Sequence, residues 1–496
     1  MLSEAEVIKL LFGFKLKYLR QESGLGLEDL AARTGLSKSY IHDIEKGKKY
    51  PKVDKIHTLA TGLGVEYDFL VSRRVSKKMQ PVVDLLTSDF FKEFPLDTFG
   101  IHTDKLMELL VTAPDKVNAF ISTIIGVARH YQLEREHLYF TALRAYQDLH
   151  DNYFPDLEAA ARACRTALSL PVQRKLTVAA LENALREHYG ITVDRRALGG
   201  LSELKGSRSY YSTSRRILYL APGLTPARER FLLAREIAFQ HQGWEKRPYL
   251  TRIIEVPDFE TLHNNFRASY LASALLMEEE QLLRDLREWA ATTAWDDQHL
   301  RRWLYDYQVT PEMLLQRLTN LLPAHFGIND LFFIRLQADE GLRRYQMTKE
   351  LHLARQHNPY ANALNEHYCR RWVSVNIIKQ ARQRQSLVQE PTILTEAQIS
   401  SYYDTPNAYF CLSMAVCDPG SPQALNSVTL GLLVNDHLRS TFRFLADPQL
   451  PVRTVNTTCE RCAIPDCEAR VTPPRGLEQG RKIARMQAQL KTLDEA

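Results

Sequence analysis

Apolar residues recur three to four positions apart from Leu2 to about Leu70 and again from Asp84 to about Leu168, the spacing that lines up one face of a helix. The pattern predicts a chain that is mainly α. Four shorter runs lose that period and read as strands: residues 217–220, 331–334, 410–416 and 428–434. The last two flank the turn-rich stretch 417–422 and should lie side by side, antiparallel. The pattern breaks at the basic run 73–78, at 169–171 and between 335 and 345. No internal repeat appears, which excludes a solenoid.

With 496 residues the chain has room for about three domains. Its 45% hydrophobic and 25% charged residues are the mixture of a globular protein rather than a disordered or fibrous one. No stretch reaches the roughly 20 unbroken apolar residues of a membrane span. The opening MLSEAEVIKLLFG carries acids where a secretion signal carries positive charge. The expectation is a cytoplasmic protein without membrane contact. A net charge of +5 is small for this length, so any nucleic-acid contact must be a local patch. Of seven cysteines, Cys459, Cys462 and Cys467 fall within nine residues, which in a reducing compartment suggests a metal or cluster site rather than disulfides.

Residues 27–47 have the grammar of two short helices around a tight turn. Leu27, Leu30 and Ala31 would face inward; Gly35 can reverse the chain in the left-handed conformation, Ser37 can cap the next helix, and Ile41 and Ile44 return to the core. Lys38, Ser39, Tyr40, His42 and Asp43 are then left at the start of the second helix, where a helix in the major groove presents side chains to base edges. Lys46, Lys48 and Lys49, with Lys52 and Lys55, follow as phosphate contacts. Together with Glu45, Gly47, Pro51, Leu59, Ala60, Leu63, Gly64 and Val65, this segment resembles the XRE family of helix-turn-helix domains. Such proteins bind double-stranded operators as dimers on half-sites about one helical turn apart, so a homodimer is expected.

Further along, Arg228-Glu229-Arg230-Phe231-Leu232-Leu233-Ala234-Arg235-Glu236-Ile237-Ala238-Phe239 resembles the zinc-binding helix of the ImmA/IrrE metallopeptidase-like domain. A zinc peptidase needs two histidines one turn apart and a glutamate to activate water. Arg235 and Phe239 occupy the histidine positions, and only Glu236 keeps its place. A guanidinium and a phenyl ring cannot hold Zn²⁺, and His241 lies two residues too far on. No catalytic residue is therefore expected; Glu236 should pair with an arginine, and the domain reads as a scaffold for ligand sensing.

Three further stretches, 259–276, 310–323 and 348–372, together with the head resemble the short-chain fatty acyl transcriptional regulator family (RamB/PrpR-like) over nearly the full length. The resemblance implies a helix-turn-helix DNA-binding domain at 1–75, a helical linker at 76–154, a degenerate ImmA/IrrE-like domain at 155–290 and a ligand-sensing domain at 291–496. The expected fold class is mainly α with a smaller α+β sensor part that carries a four-cysteine site. The function implied is DNA-binding regulation of short-chain fatty acid or acyl-CoA metabolism (propionate, acetate, glyoxylate or methylcitrate), with an acyl-CoA effector and no enzymatic activity. A metallopeptidase-like regulator acting on a partner repressor, and a zinc-stabilised regulator without an acyl-CoA ligand, are the alternatives.

Two sets of residues could serve the sensor. Arg208, Tyr210, Tyr211, Arg267 and Tyr270 could line a pocket in which arginine meets a CoA phosphate and aromatics meet pantetheine, or could simply pin loops. Cys459, Cys462 and Cys467 offer three thiolates and need a distant fourth. Cys369, inside the Glu366-to-Trp372 signature, is the candidate, and the family resemblance places a cysteine there. Four thiolates suit Zn²⁺ or an iron–sulfur cluster alike; the resemblance favours a [4Fe-4S] cluster. Cys164, Cys411 and Cys417 read as buried thiols.

Overall fold

The computed structural model describes residues 4–72, 96–100, 135–171, 174–204, 206–251, 256–353, 366–385, 387, 390–403, 405–417 and 425–494. Most of the helical pattern between 76 and 134, the turn at 417–422 beyond Cys417, and the 354–365 part of the family signature lie outside the described residues. The chain divides into two compact units, Met1–Tyr146 with Ile253–His263 and Gln147–Arg252 with Asn264–Ala496.

The first unit begins with α1 (Glu4–Glu22), α2 (Leu27–Thr34), α3 (Lys38–Glu45), α4 (Val53–Leu63) and α5 (Tyr67–Val71). Phe12, Leu16, Leu30, Ile41, Ile44, Ile56, Leu59 and Leu70 form their common core, with Leu27 and Ala31 packed at its margin. Gly35 adopts φ 65° and turns the chain between α2 and α3, and the Ser37 side chain accepts from Tyr40 N to cap α3. At Gly13 the backbone of α1 approaches α3 so closely that a Cβ would lie 2.3 Å from the Ile44 carbonyl oxygen. Beside that crossing, the Arg20 guanidinium donates to both carboxylate oxygens of Glu45 at 2.6 and 2.8 Å and to the Leu25 carbonyl at 2.8 Å.

α6 (Arg135–Leu149) precedes α7 (Pro155–Ala167) and α8 (Val178–Tyr189). A three-stranded sheet follows, β1 (Thr192–Asp194), β2 (Ser209–Ser212) and β3 (Ile217–Leu220), in the order β1-β3-β2. Then come α9 (Pro226–Gln242), α10 (Phe259–Leu276), α11 (Glu279–Ala290), α12 (Gln298–Tyr307) and α13 (Pro311–Phe326). The C-terminal part contains β4 (Leu331–Ala338), β5 (Tyr345–His352), α14 (Val373–Gln385), β6 (Thr392–Tyr402), β7 (Ala408–Cys417), β8 (Asn426–Leu433), α15 (Asp436–Thr441), β9 (Val452–Val455) and the exposed α16 (Arg475–Asp494). Its six-stranded sheet runs β5-β4-β8-β7-β6-β9, antiparallel except for the β6–β9 pair. Among the described residues no helix is long and apolar enough to cross a membrane.

Side chains alternate across a strand, and here both faces of the central strands are covered. Leu331, Phe333, Leu412, Met414 and Leu430 join the core that also holds the helices, whereas Phe332, Ile334, Tyr409, Cys411 and Ala415 join a second core with Ile377 and Ile378 of α14. That is why these strands read as unbroken apolar runs, and β7 and β8 do pair antiparallel. β5, β6 and β9 escape the hydrophobic pattern because their exposed or inward positions are polar; Gln398 and Ser400 of β6 are each 2% exposed and bond to each other. The pattern break at 335–345 is the β4–β5 hairpin: Asp339 accepts from the backbone N–H groups of Arg343 and Arg344 at 2.7 and 3.0 Å. The sheet is accordingly larger than the sequence pattern implied.

A buried ion pair ties α7 to α13. Arg317, fully buried, donates to Glu158 at 2.5 and 2.9 Å and to the Met277 carbonyl at 3.2 Å, while the Tyr270 hydroxyl donates to Glu158 at 2.7 Å. Arg317→Met strands the Glu158 carboxylate and should cost about 3–5 kcal/mol, whereas the pair Glu158→Leu/Arg317→Met should recover most of that loss. Urea denaturation of the three proteins checks this, and equal stability of the single and double variants would contradict it.

Candidate functional site

The outward side of α3 and the turn that follows it carry the predicted DNA contacts, and the Lys49–Asp43 and Lys49–Tyr40 contacts draw the two together. Lys38, Ser39, Lys48 and Lys49 are exposed, while Tyr40, His42, Asp43 and Lys46 are partly so. Two of the lysines already have carboxylate neighbours: Lys38 with Glu28 at 2.7 Å and Lys49 with Asp43 at 2.8 Å. Lys49 also lies 5.9 Å from the centre of the Tyr40 ring. Its hydrogen bond to Asp43 holds that carboxyl below the usual range. Exposed pairs of this kind contribute little stability, so both lysines can exchange their partners for DNA, Lys38 at a base edge and Lys49 at a phosphate.

Around α9 both zinc-ligand positions are filled by residues that cannot bind the metal, and Glu236 alone keeps its place. Glu236 accepts from Arg247 at 2.9 and 2.5 Å and from Gln240 at 2.8 Å, the arginine pairing expected of it. The Arg247 guanidinium lies 3.7 Å from the Phe239 ring centre, with Tyr211 and Tyr249 at 5.3 and 5.2 Å. Arg235 donates to the Asn265 side-chain carbonyl. His241 faces Tyr189, 3.3 Å from its hydroxyl. No water-activating group is free here, so the residues present do not fit the zinc that the fold family implies.

Of the five residues considered for a CoA pocket, Tyr211 and Arg267 belong to this group. Arg267 stacks 4.6 Å over Trp244, whose ring is 6.4 Å from Phe239, and reaches Asp156 at 3.4 Å. Tyr210 is stacked on Tyr219 at the surface, Arg208 lies near Arg228, Glu312 and Arg335, and Tyr270 belongs to the Glu158–Arg317 network. Those three are not brought to the same place. Arg247, Trp244 and Tyr249 had no sequence signal: each is ordinary in its own segment and acquires a role only by what it stacks against.

The four candidate cysteines do share a neighbourhood. Cys369, Cys459, Cys462 and Cys467 line one small cavity with Arg370, Thr458, Ala469 and Arg470. Two distant loops are stitched together to make it: Cys369 N donates to Thr457 O at 3.0 Å, and Cys459 N to His367 O at 2.8 Å. Around them Thr458 and Arg461 donate to Glu366, and His367 pairs with Glu460 at 2.7 Å. Arg470 clamps the second loop through the carbonyls of Cys459, Cys462 and Ile464. Burial pushes the Cys369 and Cys459 thiols up, which favours the protonated form unless a cation takes the proton's place. Among the described residues no group of three or more His, Cys, Asp or Glu has the geometry to hold a metal ion as it stands. Cys164, Cys411 and Cys417 are buried elsewhere; burial pushes Cys164 and Cys411 up to about 12, and Cys417 donates to the Ala381 carbonyl at 3.3 Å.

Comparison with known proteins bears on the head and the middle. A family model described as a helix-turn-helix domain matches residues 11–68, and one described as an IrrE N-terminal-like domain matches residues 186–319. The uncharacterized HTH-type transcriptional regulator y4dJ of Sinorhizobium fredii is 39% identical over 62 residues, which is 12% of this chain and 80% of that protein. The chain belongs to the helix-turn-helix transcriptional regulators. The control protein C.MunI of Mycoplasma sp is 38% identical to the regulator over 66 residues, covering 13% of the regulator and 89% of itself. A solved Mycobacterium tuberculosis transcriptional regulator aligns with a TM-score of 0.49 at 19% identity, over 68% of this chain and 93% of that one, a level from which neither fold nor function is transferred. The regulator therefore couples a sequence-specific DNA-binding head to a peptidase-like domain whose zinc positions are occupied by Arg235 and Phe239.

Two outcomes follow for the regulator. His42→Ala should change preference at one or two base positions by about 1–3 kcal/mol, while Lys49→Ala should weaken all sequences alike and flatten the salt dependence. Binding titrations on operator and random DNA at several salt concentrations separate the two, and identical behaviour of both variants would refute the assignment. Glu236→Gln leaves Arg247 buried without its carboxylate, and should lower stability by about 3 kcal/mol. An unchanged melting temperature would show that the pair does not hold this group together.

Proposed function

We propose that the chain regulates genes of short-chain acyl metabolism and that its C-terminal cysteines hold a metal centre, a [4Fe-4S] cluster in preference to zinc. The observation that carries this reading is that Cys369, some ninety residues from the other three, lines the same cavity as Cys459, Cys462 and Cys467. The cavity has the charge such a centre needs. Four thiolates around either metal carry net negative charge, and Arg370, buried with its Nη1 unpartnered among the described residues, and Arg470 both line the cavity. When bound, such a centre supplies a cross-link between the two loops and, if it is a cluster, a charge that changes with redox state.

An acyl-CoA-type effector belongs to the same reading. The guanidinium and aromatic surfaces around Arg267, Trp244 and Tyr211 are of the kind that take a phosphate and a pantetheine arm. Binding to an operator as a homodimer is supported by α16, where Ile483, Met486 and Leu490 recur at helical spacing and are 49, 54 and 60% exposed.

Anaerobic purification followed by absorption spectroscopy and elemental analysis tests the metal centre. Iron with visible charge-transfer bands supports the cluster, zinc without them supports the structural alternative, and a metal-free protein refutes both. Cys369→Ser should lose most of the metal and destabilise the C-terminal part together, whereas Cys411→Ser should keep its metal.

A further inference from the structure

Cations also gather in the larger unit, at the first turns of α9 and α13 and on the β4–β5 hairpin. Arg335 and Lys349 stand directly opposite each other on β4 and β5, a like-charged pair that is destabilising on its own. Glu312, in the first turn of α13, offsets it at 3.5 Å from Arg335 and 3.1 Å from Lys349. Arg208, just before β2, lies within electrostatic reach of Glu312, Arg335 and Arg228. Arg228 is itself in the first turn of α9, the end of a helix that favours negative charge, and Glu229, the acid of that turn, is held by Arg195 at 2.7 Å. Of the residues Arg208, Arg228, Glu312, Arg335 and Lys349, only Glu312 is an acid. Arg208, Arg228 and Lys349 are exposed and Arg335 is partly so, which turns their charge to solvent rather than to the core.

We propose that this patch is a second DNA-contact surface, one that takes the phosphate backbone of duplex DNA in addition to the contacts made by α3. The inference uses neither the cysteine cavity nor the acyl-CoA reading. Charge sets the class of partner, because a polyanion relieves the repulsion among Arg208, Arg228, Arg335 and Lys349 that Glu312 offsets only in part. Shape narrows it. The cations are spread over two strands, a helix and the approach to a third strand, and they face outward, which suits an extended row of phosphates better than one enclosed group. Three of the four are arginines, whose planar fork binds phosphate oxygens in pairs. Contacts of this kind add affinity and fix orientation without reading bases, so the patch supplies binding strength while α3 supplies the sequence preference. A chain whose net charge is only +5 thereby gains a second local patch of the kind nucleic acid requires.

The test uses the full-length protein and a random-sequence duplex of about 40 base pairs, titrated at several salt concentrations. Arg208→Gln/Arg228→Gln should bind at least about tenfold more weakly near 0.1 M salt and flatten the plot of log affinity against log salt by about 2, since each lost phosphate contact removes roughly 0.9. The same decrement should appear when Lys49→Ala is also present, because the two surfaces contribute independently. Arg284→Ala removes an exposed arginine whose partners are Gln281 and Glu280, and should leave the slope as it was. Calorimetry with pyrophosphate separates the duplex from a small phosphate compound. An unchanged slope in the double variant, an equal loss in Arg284→Ala, or pyrophosphate binding as tight as that of the duplex and lost in the double variant would each overturn the proposal. The single variants Arg208→Gln and Arg228→Gln, each flattening the slope by about 0.9, keep it decidable even if the double variant does not fold.

Discussion

The Glu158–Arg317 pair is the constraint on which the larger unit depends. Arg317 sits on α13, whose other side packs against β4 and β8 of the six-stranded sheet, and Glu158 sits on α7 among the peptidase-like helices. A fully buried guanidinium has one acceptable geometry, because each unmet donor would cost as much as a lost hydrogen bond. Tyr270 from α10 and the Met277 carbonyl complete that geometry, and Asn320 and Thr319, farther along α13, bond to Asn152 just before α7. One polar cluster thus sets how α13 lies against the helices, and α13 sets where the sheet begins. The surrounding apolar contacts are stronger in sum but less particular about position.

From that sheet the cysteine cavity follows. β9 pairs with β6 in parallel, which brings the chain after Val455 alongside the chain before Trp372; the indole of Trp372 donates to the Asn456 carbonyl at 2.9 Å. The short bridge between Tyr368 and Thr458 then sets Cys369 opposite the C-terminal loop. The loops are held by hydrogen bonds to backbone and by Glu366 and Glu460, so the cavity does not rely on the cysteines to exist.

The middle domain keeps an IrrE-like helix whose two zinc-ligand positions hold Arg235 and Phe239. Replacing two histidines by arginine and phenylalanine does not disturb the helix, since all four residue types are accommodated within one. It changes the electrostatics completely: the glutamate that would activate water becomes the partner of Arg247, and aromatic rings cover the guanidinium faces. The surroundings of α9 thus carry two guanidinium groups against one carboxylate among the residues named.

The helix-turn-helix head was legible from the sequence alone, because each of its determinants acts locally: Gly35 for the turn, Ser37 for the cap, and Leu30, Ile41 and Ile44 at helical spacing. That Arg235 and Phe239 stand where a zinc peptidase carries histidines was equally legible, since residue identity does not depend on surroundings. Strands β3, β4, β7 and β8 were found because burial on one or both faces left an apolar run, whereas β5, β6 and β9 were missed because neighbours rather than their own residues make them strands. Cys369 could be named as a fourth ligand only through the resemblance around it. That it shares a cavity with Cys459, Cys462 and Cys467, that Arg247 claims Glu236, and that Arg235 meets the Asn265 amide were decided by tertiary structure. All three depend on which distant residues are pressed together and shielded from water, and no local pattern carries that information.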